Sequence, residues 1–260
     1  MQENLAIEKM GLQEYKPHFK FEIDTTRYRL KVADCFDQLL ELFAFRQRVF
    51  FGLDSQSILD FDKYDSQCDH IIVTDKETNS ICGTYRIALS SQVASHYSQL
   101  EFHLDEFLAR PGIKMELGRA AIASEHRNGS VLDLLWYGLA EYAKRSQAQF
   151  LFGCSSVMTM DEAETKQIFN ELKSENNLIF DWGIKPTELY SFDFERNSSD
   201  DNLELSAEIP PLLLSYLKAG SKVYGRPAID RDFGCIDFMT ILDVKDLTRF
   251  YKKRYFRENA

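Results

Sequence analysis

The chain has 260 residues, of which 44% are hydrophobic and 28% charged, the balance of an ordinary globular protein with one main core. Its net charge of −10 and pI near 5.1 argue against a nucleic-acid partner, which needs a basic face. No stretch approaches the ~18 uncharged apolar residues of a membrane span. The polar stretch from Met1 to Lys20 does not read as a signal peptide, and five scattered cysteines without a CxxC pair argue against a disulfide framework or zinc site; these points make the cytoplasm the expected compartment.

Residues 1–26 read as an N-terminal arm, and 27–260 as a single domain with a C-terminal extension. Tyr28–Ala33 alternates as a half-buried strand. Asp34 stands where a helix cap belongs, and Phe36, Leu39, Leu40 and Phe43 then form one apolar helical face running to about Val49. Phe51–Ser66 is an acidic loop, followed by strands at His70–Thr74 and Ile81–Leu89. A short helical insert near Phe102–Ala109 ends at Pro111-Gly112, and Lys114–Ala123 reads as a strand. After the turn His126–Ser130 come a helix over Val131–Arg145, a strand at Phe150–Cys154 and a helix near Asp161–Lys173. The last third yields a helix at Ile209–Lys218, a strand at Ile236–Leu242 and a helix at Asp246–Tyr255. This order suggests a mixed sheet covered by helices on both faces.

Charge is uneven along the chain. Glu188–Glu208 carries seven acids and one Arg, whereas Lys245–Arg257 carries six bases and one acid interleaved with Phe250, Tyr251, Tyr255 and Phe256. That mixture suits a solvated helix face, and equally an anionic membrane surface or an acidic partner protein.

Four segments stand out as a set: Phe45-Arg46-Gln47-Arg48-Val49-Phe50, Asp60-Phe61-Asp62-Lys63-Tyr64-Asp65, Cys82-Gly83-Thr84-Tyr85-Arg86 and Met115-Glu116-Leu117-Gly118-Arg119. Further motifs are Tyr97-Ser98 with Glu101-Phe102, Arg127-Asn128-Gly129, Leu135-Trp136 with Gly138-Leu139, Cys154-Ser155-Ser156 and Ala228-Ile229-Asp230-Arg231-Asp232-Phe233. In this order they resemble the acyl-homoserine-lactone synthases and, more closely, the ornithine N-acyltransferases often labelled hemolysin-like.

The resemblance spans roughly residues 28–256. It implies a GNAT-like, three-layer α/β/α fold with a central mixed, mostly antiparallel sheet. It further implies a fatty acyl thioester on acyl carrier protein as donor substrate, no bound cofactor or metal, and the α-amine of an amino acid as acceptor, with ornithine first and a lyso-ornithine lipid as product. A synthase acting on S-adenosylmethionine and a non-catalytic lipid- or carrier-binding module remain the alternatives. Arg46, Phe50, Asp62, Asp65, Arg86, Glu116 and Arg119 fall on the lactone-synthase pattern.

Amide formation from a thioester needs a neutral amine, close approach and oxyanion stabilisation. Glu116 is the expected base, with Arg119 beside it. Asp60, Asp62 and Asp65 are expected to receive a cationic substrate end, and Arg46 or Arg86 a carboxylate. A backbone bulge after Arg119 is expected to meet the oxyanion. Arg127, Asn128 and Gly129 are placed against phosphopantetheine; their spacing departs from the usual GNAT pyrophosphate loop, which favours a carrier-bound donor over coenzyme A. Cys154 has no evident histidine base for covalent catalysis. The expected partners are acyl carrier protein and, peripherally, membrane lipid.

Overall fold

The computed structural model describes residues 11–52, 59–192 and 208–256. The acidic stretch between Glu188 and Glu208, part of the loop after Phe51, and Arg257 of the basic tail lie largely or wholly outside them. The chain divides into two compact units: Met1–Ala94, Met115–Ala148 and Tyr255–Ala260 form one, and Ser95–Lys114 with Gln149–Arg254 the other.

In the first unit, strands β1 (Glu22–Asp24), β2 (Tyr28–Val32), β3 (Asp69–Asp75) and β4 (Ser80–Leu89) pair antiparallel in that order, and β4 pairs antiparallel with the strand Ile113–Ile122 from Met115 onward. Helix α1 (Phe36–Phe51) packs its buried Leu39, Leu42 and Phe43 against Ile72 and Ala121 on one sheet face. The long helix Ser130–Ser146 covers the opposite face, where Val131 and Leu135 meet Gly83 and Gly138 meets Leu30 and Ile71. A Cβ at Gly83 would lie 2.5 Å from Val131, and one at Gly138 2.6 Å from Leu30. These two glycines of the sequence motifs therefore set how closely that helix lies on the sheet.

The second unit opens with β5 (Phe102–His103) and α2 (Asp105–Ala109); the strand Ile113–Ile122 and the helix Ser130–Ser146 placed above are β6 and α3. β7 (Ala148–Val157), α4 (Glu162–Ser174), β8 (Leu178–Ile179), β9 (Lys185–Pro186), α5 (Pro211–Ala219), β10 (Lys222–Tyr224), β11 (Ala228–Asp230), β12 (Cys235–Asp243) and α6 (Arg249–Tyr255) follow. β12 pairs antiparallel with β7, β10 and β11, β10 pairs parallel with β8, and β5 pairs with β9. Ile168 and Leu172 of α4 and Leu213 of α5 pack on Val157, Ile236 and Phe238. Phe107 of α2 packs with Phe150, Phe152, Met239 and Ile241, whose side chains share the other face of the β7–β12 pair. Each unit thus has helices on both faces of a mostly antiparallel sheet.

The predicted elements differ from the structure mainly at their ends. Cys35, not Asp34, holds the cap position of α1, and the Asp34 N–H instead donates to the Gln38 side chain at 3.0 Å. The predicted helical insert near Phe102 opens as β5 before turning into α2. The cap of α4 is Asp161, whose carboxylate accepts from the Ala163 and Glu164 N–H groups.

The N-terminal arm is tied down. Leu12 and Tyr15 pack into the α1 core, and β1 extends the sheet edge. Asp69 is fully buried and accepts from the His18 and Phe19 backbone N–H groups at 3.0 and 3.1 Å and from the Tyr142 hydroxyl at 2.9 Å. One carboxylate therefore fastens the arm to both β3 and α3. Replacing it should strand several buried donors. Asp69→Ala is expected to cost roughly 3 kcal/mol or more and to speed hydrogen exchange at Phe19 ahead of the sheet; uniform exchange along the chain would contradict this anchoring role.

Candidate active site

Helix α1 continues its apolar stripe with a charge. Leu39, Leu42, Phe43 and Arg46 follow helical spacing, and all four are fully buried. A guanidinium there must find every partner inside the protein. It does so in the acidic loop: Arg46 Nε donates to Asp60 Oδ2 at 2.7 Å, Nη2 to the Asp60 carbonyl at 2.7 Å, and Nη1 and Nη2 to the two Asp65 oxygens at 2.8 and 3.1 Å. The face of its Phe43 neighbour lies 5.0 Å from the guanidinium carbon.

Two more arginines close the network. From β4, Arg86 donates through Nη1 to both Asp62 oxygens at 2.8 Å and to Asp65 Oδ1 at 3.3 Å. From β6, Arg119 Nη2 donates to Asp62 Oδ2 at 2.9 Å, with its Nε 3.4 Å from Asp60. The loop holds itself as well: the Asp62 N–H donates to Asp65 and the Tyr64 N–H to Asp62. All six predicted charged residues of the acidic loop and its arginines are therefore together, but they pair with one another. The expectation assigned the aspartates to a substrate cation and Arg46 or Arg86 to a carboxylate; the structure gives each an internal counter-charge. Exposure grades outward, from 0% for the Arg46 and Asp65 side chains to 11% for Arg119 and 22% for Asp62. Only the outer end of the network faces solvent.

Burial and charge act on the titrating groups. Burial works against ionised Asp65, yet Arg46 and Arg86 outweigh it and hold the carboxyl well below its ordinary range. His70 is fully buried behind it, and its Nε2 meets the Asp65 carbonyl at 3.0 Å. Burial pushes the His70 imidazole down to about 4, with Arg46 adding to the shift.

The β4–β6 ladder breaks at the functional position. Thr84 faces Ala121, but Arg86 faces Gly118, so Arg119 and Ala120 together stand opposite Tyr85. Arg119 adopts a left-handed φ of 49°, the local signature of a bulge. On the sheet face carrying Arg86, Gly118 leaves the guanidinium room, 3.9 Å from where a Cβ would stand. Glu116 lies on this face beside Ala88 and is 5% exposed. Cys68 is near enough to feel the Glu116 charge, and burial raises its thiol well above the ordinary range.

The turn before α3 is built for a helix start. Gly129 takes a left-handed φ of 90°, and Asn128 Oδ1 accepts from the Ser130 N–H at 3.0 Å. Arg127 is exposed and donates from Nε to the Ile122 carbonyl at 3.1 Å. The Asn128 contact occupies one N–H group that the GNAT loop pattern would leave for pyrophosphate. Phe50 packs on the α1 core and beside the Phe51 ring, 6.3 Å between centroids. In the second unit, Cys154 lies against Glu101 and Asp237, carboxyl neighbours that oppose the thiolate a nucleophile needs. Glu101 and Asp237 are residues whose chemistry the sequence reading left unassigned, although Glu101 sits in a motif it singled out.

Two outcomes follow from the buried network. Arg46→Met should leave Asp60 and Asp65 without their main counter-charge and cost about 3–5 kcal/mol in chemical denaturation. For His70, the unfolded chain takes up its proton near the ordinary value of ~6.5, whereas the folded chain resists to about 4. Stability should therefore be full above the higher value and fall as pH drops between the two, by roughly 3 kcal/mol. His70→Gln should flatten that part of the pH–stability curve; an unchanged curve would remove His70 as its source.

Residues 40–137 match the acetyltransferase (GNAT) domain family. An L-ornithine N(alpha)-acyltransferase of Brucella abortus is 29% identical over 211 residues, covering 76% of this chain and 75% of that protein. The enzymes of the same name from Rhizobium meliloti and Rhodobacter capsulatus are 28% and 25% identical, covering 75% and 79% of this chain and 70% and 82% of theirs. Among solved structures, TofI is similar at 15% identity and TM-score 0.49, over 86% of this chain and 96% of its own. FeeM, an N-acyl amino acid synthase from uncultured soil microbes, is similar at 8% identity and TM-score 0.48, over 90% and 100%. The matched GNAT domain spans α1, the acidic loop, β3, β4, β6 and the start of α3, the elements that assemble the arginine–aspartate network and the bulge. The chain is an acyltransferase of the GNAT superfamily, homologous to the L-ornithine N(alpha)-acyltransferases.

Proposed function

We propose that this acyltransferase moves a fatty acyl group, 3-hydroxylated in the first instance, from the thioester of acyl carrier protein to the α-amine of L-ornithine, yielding a lyso-ornithine lipid. The observation that carries the reading is the run of relatives named for ornithine N(alpha)-acylation, each matched over three quarters or more of this chain.

The geometry supports a division of labour within the site. Arg46, Asp60 and Asp65 are too buried and too fully paired to meet a substrate, so they position the loop. Asp62 and Arg119 form its outer end and orient the reactants, and the buried Arg86 fixes Asp62 from beneath. Glu116 accepts a proton from the attacking ammonium, directly or through water, and leaves a neutral amine to attack the thioester carbon. The tetrahedral intermediate places its negative charge on the former carbonyl oxygen. A bulge lifts one residue out of the regular ladder, so backbone N–H groups near Arg119 and Ala120 are suited to that oxyanion. Collapse breaks the C–S bond and expels the phosphopantetheine thiolate, which takes up the second proton that the acylated nitrogen sheds on becoming an amide. Arg127, Asn128 and Gly129 hold the phosphopantetheine arm, and Phe50 borders the acyl chain. The occupied Ser130 N–H supports a carrier-bound donor rather than coenzyme A.

No helix among the described residues is long and apolar enough to cross a membrane. Helix α6 presents an exposed Phe250 among Arg249, Lys252, Lys253 and Arg254, and this face suits peripheral contact with the anionic inner leaflet that receives the product.

The test is turnover of purified protein with 3-hydroxyacyl carrier protein and ornithine, read by mass spectrometry of the product. Glu116→Gln should lower kcat by about 10²–10⁴-fold with little change in KM for ornithine, the behaviour of a proton acceptor. Acylation of S-adenosylmethionine instead of ornithine, or equal use of acyl-coenzyme A, would replace the acceptor or the donor in this reading.

A further inference from the structure

Three sequence motifs find no place in the arginine–aspartate site: the Glu101 segment, Cys154-Ser155-Ser156 and the Asp230 segment. All lie in the second unit, and they converge there on one face of the β7–β12 pair. That face begins apolar, with Phe150 and Phe152 packed beside Met239 and Ile241. It then changes character: Cys154 and Ser156 continue the β7 row, and Asp237 and Cys235 the β12 row. Glu101, just before β5, brings its carboxyl to the same point. Glu101, Cys154 and Asp237 hold one ligand atom each within 4.8 Å of one another.

Glu101 and Asp237 are 1% and 2% exposed, and among the described residues no arginine or lysine pairs with either. Glu101 Oε2 is buried with no hydrogen-bond partner among those residues. A bare buried acceptor is costly, and it is aimed here at a second acid and a thiol. The rest of the arrangement orients these groups without closing them off. The Ser156 hydroxyl donates to Asp237 Oδ1 at 2.6 Å and the Cys235 thiol to Oδ2 at 3.4 Å, which leaves each oxygen a second lone pair. The Glu101 N–H donates to the Ser98 carbonyl, and its carbonyl accepts from the Thr187 N–H. Cys154 is half-buried and Ser156 exposed, so the point is approached from that side.

The donor set selects the occupant. Two carboxylates and a thiolate carry three negative charges, which a monovalent cation leaves largely unanswered. Calcium takes six or more oxygens and magnesium keeps several waters, and neither suits sulfur. Zinc(II) accepts mixed oxygen and sulfur, with three protein ligands and a fourth position for water. Zn–S of ~2.3 Å and Zn–O of ~2.0–2.2 Å put neighbouring ligand atoms about 3.3–3.8 Å apart, so the three groups close on the ion by about 1.5 Å at most. The carboxyls that oppose a free Cys154 thiolate do not oppose a bound one, because the ion supplies two positive charges between them; the thiol proton leaves to solvent. We propose that Glu101, Cys154 and Asp237 bind a zinc-type divalent ion that fastens the Glu101 segment to the β7–β12 pair. Asp230 and Cys235 also reach Asp237, but Asp230 is held by the Asp232 and Phe233 N–H groups and the Cys235 thiol is spent on Asp237, so they position it. Cysteine spacing announces a site only when its ligands share a segment; these come from three, so the sequence gave no reason to expect a metal. The ion's role lies within the second unit and does not depend on which amine is acylated.

The experiment titrates the chelator-treated full chain with zinc chloride by calorimetry and with cobalt(II) chloride by absorption, where a thiolate-to-cobalt charge-transfer band reports a sulfur ligand. Wild type should take up a single ion, show the band and melt at higher temperature with zinc. Glu101→Gln and Cys154→Ser should each weaken zinc by about 100-fold or more, and Cys154→Ser should lose the band. Cys235→Ser should keep the band, with affinity lowered by about tenfold or less, as expected of a group acting through Asp237. Glu101→Gln neutralises one of two crowded carboxyls and Cys154→Ser is nearly isosteric at a half-buried position, so each variant tests the site if the other fails to fold. Absence of the band from wild type, a band that survives Cys154→Ser, or zinc affinity unchanged in Glu101→Gln overturns the proposal. Magnesium chloride binding as tightly as zinc would also overturn it, since sulfur would then play no part.

Discussion

A guanidinium that water cannot reach must be answered from within the fold, and Arg46 sets that requirement at the centre of the first unit. It occupies a stripe position of α1 where another leucine would complete the apolar face. Removing its charge from water costs several kcal/mol before any partner is found. The acidic loop supplies those partners with both the Asp60 and the Asp65 carboxylates and one backbone carbonyl. Its described part, from Leu59 to Tyr64, has no strand pairing of its own, so ion pairs rather than a ladder hold it. Through Asp62 and Asp65 the same loop then orients Arg86 and Arg119, which connect it to β4 and to the bulge of β6. The buried end rigidifies, and the outer end is presented to the reactants.

Charge is arranged differently in the two units. Three arginines answer three aspartates in the first, and the network is closed. In the second, Glu101, Asp230 and Asp237 crowd each other, and the donors described around them are a thiol, a hydroxyl and the Asp232 and Phe233 N–H groups, with no arginine or lysine among them. A closed network contributes position; an open one stores unfavourable energy that a ligand of the right charge relieves. The contrast shows why a charged motif cannot be assigned a substrate from composition: Asp65 and Glu101 are both buried acids, and only their neighbours distinguish them.

The elements around the bulge depend on small residues. Gly83 and Gly138 let α3 approach the sheet, and Gly118 leaves the space into which Arg86 reaches. Gly129 turns the chain into the start of α3 with a left-handed φ that β-carbon-bearing residues rarely adopt. Gly83, Gly118 and Gly129 each lie in a motif that also carries a charged or polar residue, so packing and chemistry are placed there by the same short segments.

Much of this was legible in the amino-acid sequence. Alternation located β2, helical periodicity located α1 and α3, and the motif order pointed to a GNAT-type acyltransferase, because side-chain period and motif spacing are local properties. The short strands β8 to β11 left no such trace, since two or three residues carry no period. Periodicity marked Leu39 and Phe43 as one face but could not show that Arg46 prolongs it, because a charged residue on a stripe reads as its edge until its partners are seen. The partners lie 14 and 19 residues away for Arg46 and farther for Arg119. Likewise nothing in Tyr97–Phe102 announced that Glu101 would meet Asp237, more than a hundred residues along the chain. The sequence by itself determined the class of fold, the family resemblance and the set of ionisable residues. Tertiary structure alone decided which of them neutralise one another, because pairing energy depends on distance and burial, and those are set only when segments remote in the chain pack together.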